Sequence, residues 1–165
     1  MQQPRRILLI GYGNPGRLDD GLGPALAAMA ETWQVDGLTV DADYQLTVED
    51  ASDVASHEIV IFADASVNGP EPFDVVAVEP KQALGFSSHS VEPSVLLHMA
   101  HTLFGSNTRG FILGIRGHAF NEFGEGLSPR AAENLARAAE FLRRAVEDPG
   151  LLDTPRAVRG IARGA

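Results

Sequence analysis

The 165-residue chain contains no cysteine. Disulfides, thiolate metal sites and a cysteine nucleophile are therefore excluded, and such a composition suits a cytoplasmic protein. Lysine is nearly absent too: twelve of the thirteen basic residues are arginine, and Lys81 is the exception. With 22 acidic residues the net charge is −9, whereas a nucleic-acid surface calls for a basic face. No apolar run reaches the roughly 18 residues of a membrane span. The four-residue run Ile7–Ile10 that follows Arg6 is too short for a signal peptide. The expectations are no nucleic-acid partner, no membrane association and a cytoplasmic location.

What the chain does have is a regular alternation. Five short apolar runs (7–10, 38–40, 59–63, 75–78 and 111–115) are separated by helical patterns. Four of the runs are almost continuously apolar, as strands of a parallel sheet covered on both faces are. A first helix is predicted from Pro24, with Leu22, Leu26, Met29 and Trp33 on one face. A second is placed near 48–54. A third opens at Pro93, carries Leu96, Met99, Ala100 and Leu103, and stops at Gly105. In the last, Ser128 caps, Pro129 opens, and Ala131, Leu135, Ala138 and Leu142 line one face. The pattern implies a three-layer α/β/α sandwich around a mainly parallel five-stranded sheet. One domain spans 1–150, and 151–165 forms a flexible tail.

Loops at the carboxyl ends of parallel strands form the ligand crevice of such folds. Asn14, Asp19 and Asp20 follow the first run, Asp41 and Asp43 the second, and Asp64 the third. His89 lies in the loop after the fourth, and Arg116 and His118 end the fifth. Gly11, Gly13 and Gly16 fit G-x-G-x-x-G, but Asp19 and Asp20 stand where a phosphate would need bare amide protons. A metal cation suits that placement. Asp20, Asp64 and His89 are the expected ligands, with positions left open for water or substrate. Asp19 is assigned to a cap or turn. Asp64 has a rival structural role, pairing with Arg116. His118 is a reserve ligand, and His98 and His101 read as a solvent-facing pair.

These pieces resemble the maturation endopeptidases of nickel–iron hydrogenases. The resemblance rests on Gly11-Tyr12-Gly13-Asn14 with Asp19-Asp20-Gly21-Leu22-Gly23, then Ala63-Asp64-Ala65, then Ser88-His89. Gln45-Leu46-Thr47 and Gly124-Glu125-Gly126-Leu127-Ser128-Pro129 also match. It implies a phosphorylase/hydrolase-like sandwich and a peptidase. Such an enzyme removes the C-terminal extension of a hydrogenase large-subunit precursor after nickel insertion. The family's metal-binding positions fall on Asp20, Asp64 and His89, which would also be the catalytic set. Nickel is then carried by the substrate, and zinc or cadmium can occupy the site in vitro. Asn14, Asp41 and Asp43 are the expected substrate contacts. Asp43-Tyr44 stands where some relatives carry a Gly-Gly turn.

Three other readings compete. The glycine loop also resembles the opening of peptidyl-tRNA hydrolases, but Arg17-Leu18-Asp19-Asp20-Gly21 lacks their catalytic histidine, and acidic groups repel an RNA backbone. A nucleotide-binding module conflicts with the acidic pair. A protein that senses a metal-loaded partner without cutting it would use the same side chains.

Overall fold

The structure is a computed structural model that describes residues 6–83 and 91–153. Five strands form one sheet: β1 (Ile7–Tyr12), β2 (Leu38–Asp43), β3 (Ile59–Ser66), β4 (Phe73–Ala77) and β5 (Arg109–Arg116), in the order β2-β1-β3-β5-β4. β1, β2, β3 and β5 run parallel, and β4 joins the edge antiparallel to β5. Four helices cover the sheet: α1 (Leu22–Glu31), α2 (Asp50–Ala55), α3 (Pro93–Phe104) and α4 (Pro129–Glu147). This is the mainly parallel α/β/α sandwich read from the apolar runs.

Strand alternation sorts the core into two halves. Ile7 and Leu9 of β1 and Ile59, Ile61 and Ala63 of β3 face α1 and α4. Leu8 and Ile10, with Val60 and Phe62, face α2 and α3. Both sides of the central strands are buried, so their sequences read as unbroken apolar runs. Phe73 and Phe141 bring their rings to 5.2 Å in the first half.

Several local expectations shift. A 3₁₀ turn over Leu18–Gly21 precedes α1, so the helix starts at Leu22 rather than Pro24. Leu22 and Leu26 are buried as expected, but Met29 faces outward and Ala27 and Ala30 take its place. Small residues there let the helix approach the sheet closely: a Cβ on Gly11 would run into the Gly23 carbonyl. In α3, Leu96, Leu97 and Ala100 are buried whereas Leu103 is exposed, and Gly105 ends the helix at φ 66°. Residues 149–153 close on α4 as a second 3₁₀ turn with Leu152 buried, so the ordered chain continues into the first residues of the expected tail.

The antiparallel direction of β4 has one consequence for the site. Ala77 pairs with Phe111 near the start of β5, so β4 ends at the edge where the parallel strands begin. The loop after the fourth run therefore leaves the sheet at the edge opposite to the expected carboxyl edge. His89 itself, within 84–90, lies outside the described residues. So does Ser88.

Candidate functional site

The carboxyl edge of β1 and β3 carries the site. Tyr12 and Asp64 follow Ile10 and Phe62 by two residues, so they share the α2/α3 face. They stand one step beyond the paired Gly11 and Ala63. The Tyr12 hydroxyl donates to the Asp64 carboxylate, and the Ala65 amide donates to Asp64 Oδ1 at 2.8 Å. Burial pushes the Asp64 carboxyl up to about 6; these two hydrogen bonds pull it back, and the Asp20 charge raises it further. Burial and the Asp64 charge hold the Tyr12 hydroxyl above its ordinary value, so it remains a donor. The sequence reading missed Tyr12. Strand parity and the neighbouring register would have found it.

Asp20 arrives from the 3₁₀ turn. Its Oδ2 accepts the Asn14 amide at 2.8 Å, while Asn14 Oδ1 accepts the Gly16 amide at 2.8 Å. The expected substrate contact Asn14 is thus engaged in shaping the loop that carries Asp20. Gly13 adopts φ 142°, and a Cβ there would collide with the Asp20 carbonyl, so the loop needs glycine at this point. Leu18, at φ 52°, is a non-glycine residue in the left-handed region beside the site.

Asp19 points the other way. It is fully buried and caps neither α1 nor the 3₁₀ turn. Its Oδ2 accepts the amides of His118 and Ala119, each at 2.8 Å, and the Ser128 hydroxyl at 2.6 Å. Its Oδ1 accepts the Ser128 amide at 2.7 Å. Burial opposes the charge, but these hydrogen bonds outweigh it and hold the carboxyl below its ordinary value. Ser128 occupies the position before α4 without capping it by its side chain, because its hydroxyl is committed to Asp19.

The remaining expectations resolve individually. Arg116 donates to the carbonyls of Gly69 at 2.6 Å and Gly117 at 3.2 Å, and no bond to Asp64 is formed, so the rival structural role of Asp64 lacks its partner. His118 pairs with Glu71, which also takes Arg130. His101 bonds the Thr108 carbonyl at 2.7 Å, so it is anchored rather than a free surface group. Asp41 Oδ1 accepts the Ala42 amide and Asp43 Oδ1 the Tyr44 amide.

Two acidic groupings could hold a cation. The Asp20 charge adds the smallest of the contributions to the rise of the Asp64 carboxyl, and a bound cation would relieve that repulsion. Separately, among the described residues, Asp41, Asp50 and Asp53 bring carboxylate oxygens within 4.8 Å of one another. Asp50 is held above its ordinary value by burial, against the Thr47 amide bond, with Asp41, Asp43 and Asp53 adding to the rise.

No protein-family model matches the sequence, and no curated protein matches it. Solved structures do match. HybD, the hydrogenase maturating endopeptidase from E. coli, superposes with a TM-score of 0.69 at 21% identity, over 88% of this chain and 94% of that one. The [NiFe] hydrogenase maturation protease HycI from Thermococcus kodakarensis gives 0.68 at 21%, over 87% and 94%. A hydrogenase 2 maturation peptidase from a Thaumarchaeota archaeon gives 0.64 at 21%, over 87% and 99%. The chain shares the fold of hydrogenase maturation proteases. Among the described residues no helix is long and apolar enough to cross a membrane.

Proposed function

We propose that the protein is an endopeptidase that removes the C-terminal extension of a nickel–iron hydrogenase large-subunit precursor after nickel insertion. The observation that carries this reading is the half-buried Asp64, its carboxyl pushed up to about 6, beside Asp20 at the carboxyl edge. The fold shared with hydrogenase maturation proteases supports it.

In this reading the nickel ion belongs to the substrate. Asp20 and Asp64 offer it oxygen ligands, and His89 is the proposed third. Tyr12 holds Asp64 in one orientation by its hydroxyl, and the Asn14 amide does the same for Asp20. A precursor anchored through its metal would present the scissile peptide in a fixed place, which removes much of the entropic barrier to cutting. A precursor without nickel would lack the anchor. Asp41 and Asp43, on the neighbouring strand end, are the proposed contacts for the extension. The reaction is proposed to be cytoplasmic.

The test is incubation with nickel-loaded and nickel-free precursor, followed by mass spectrometry. Loss of the extension from the loaded form alone is expected, and its absence with Asp64→Ala or His89→Ala. Complex formation without mass loss would replace the peptidase by a sensor.

A further inference from the structure

We propose that a preformed cavity between Asp64 and Asp74 binds a cationic side chain of the precursor, an arginine or a lysine, and that Asp74 is the specificity-determining residue. This rests on the function proposed above and adds a substrate contact to it. The sheet register places the two acids. Gly114 of β5 pairs with Asp64 of β3 on one side and with Asp74 of β4 on the other. Phe73 and Val75 point into the core under α1 and α4, so Asp74 faces the α2/α3 side, as Asp64 does. Two strand spacings, about 10 Å, separate the backbones of the two acids, and only a glycine stands between them.

Among the described residues nothing in the packing requires that glycine. A Cβ on Gly114 would meet only the Ser66 Cβ, at 3.5 Å, an ordinary contact, and its backbone avoids the left-handed region. A glycine inside a strand costs stability; what it provides here is space. The gap opens into a cavity of about 250 Å³, room for one long side chain. Ile112 and Val76 pair in the next row and line the cavity too, and Val76 is 49% exposed. The outer wall is held in place. The Gly69 amide donates to the Ser66 hydroxyl oxygen at 2.9 Å, and Arg116 donates to the Gly69 carbonyl at 2.6 Å. Binding therefore needs no rearrangement of the cavity.

The lining selects the occupant. Among the described residues its two ionisable groups are Asp64 and Asp74, and no lysine, arginine or histidine joins them. Asp64 is the wall shared with the proposed metal site. Asp74 belongs to the cavity alone, and among the described residues its carboxylate takes no hydrogen bond and no ion pair. A guanidinium or ammonium head would supply the missing donors in charge-assisted bonds, and its aliphatic stem would cover Val76 and Ile112. An acidic side chain would be repelled. A purely apolar one would desolvate Asp74 without giving it a partner, and a bare cation would leave the apolar row uncovered.

The experiment compares processing of nickel-loaded precursor by wild type, Asp74→Ala and Gly114→Val, which fills the gap. Both variants are expected to lower kcat/KM about tenfold, through KM, with an unchanged melting temperature. The arginines and lysines of the precursor near the cut are then replaced by Met one at a time. One replacement should slow wild type about tenfold and slow Asp74→Ala no further. Processing by Asp74→Ala at the wild-type KM, or a deficit that persists in every substituted precursor, overturns the cavity and leaves the peptidase intact. Titration with butylguanidine, followed by amide NMR, reads the cavity without any cleavage. Shifts at Asp74, Val76 and Gly114 are expected in wild type and not in Asp74→Ala, and their absence from wild type overturns the proposal. Equal shifts with magnesium chloride would assign the cavity to an inorganic cation and overturn it too. The butylguanidine shifts in a protein that never shortens its precursor would remove the peptidase and keep the cationic pocket.

Discussion

Asp19 has no exposed surface and accepts four hydrogen bonds, three from the backbone amides of His118, Ala119 and Ser128 and one from the Ser128 hydroxyl. Asp64 is half-buried and receives two, from Ala65 and Tyr12. The first carboxyl is held below its ordinary value, and the second is pushed up to about 6. Asp19 is the more deeply buried of the two, so burial alone does not account for the order of their shifts. The supply of donors does. A buried carboxylate whose lone pairs are filled is a strut. One left short of donors beside a second acid is poised for a cation or a proton, as residues at functional sites commonly are.

Removing the under-satisfied acids has the largest expected effect. Asp20→Ala and Asp64→Ala are each expected to reduce precursor processing at least about a hundredfold, a loss of roughly 3 kcal/mol or more of transition-state stabilisation. Both should fold, which circular dichroism would check. Asp19→Asn should do the opposite. An amide cannot accept all four donors, and its own NH2 would face one of them. A stability loss of about 3 kcal/mol is expected in urea unfolding. Stability within about 0.5 kcal/mol of wild type would show that Asp19 is not a strut.

The pH dependence sharpens the same contrast. Asp64 binds its proton more tightly folded than unfolded, so native stability falls as pH rises from about 4 to about 6. Asp64→Asn should therefore gain about 2 kcal/mol on wild type at pH 8 and nothing at pH 3.5. Asp19 has the reverse sign. Its contribution is complete above the ordinary aspartate range and is lost as pH falls through its depressed value. The smallest effect concerns Tyr12→Phe. Losing the hydroxyl that favours the charged form should raise the Asp64 titration by about one pH unit, measurable by carboxyl NMR.

The two central strands were legible because β1 and β3 are buried on both faces and carry unbroken apolar runs. β4 was legible as a strand but not in direction: Val75 is buried and Val76 exposed, and a short edge strand carries no mark of parallel or antiparallel pairing. The acidic pair was visible in the glycine loop. The division of labour within it was not, since the donors to Asp19 come from residues about a hundred positions away. Tyr12 escaped notice because a tyrosine ending a strand usually just packs, and only the register with β3 sets it against Asp64.

Cadmium titration by calorimetry at pH 7.5, on wild type, Asp64→Ala and Asp50→Asn in the second acidic trio, decides which carboxylates hold a cation. One binding site is expected in wild type, retained in Asp50→Asn and lost in Asp64→Ala. Unchanged cadmium affinity in Asp64→Ala, with loss in Asp50→Asn, would place the cation at Asp41, Asp50 and Asp53 and contradict a site at Asp64.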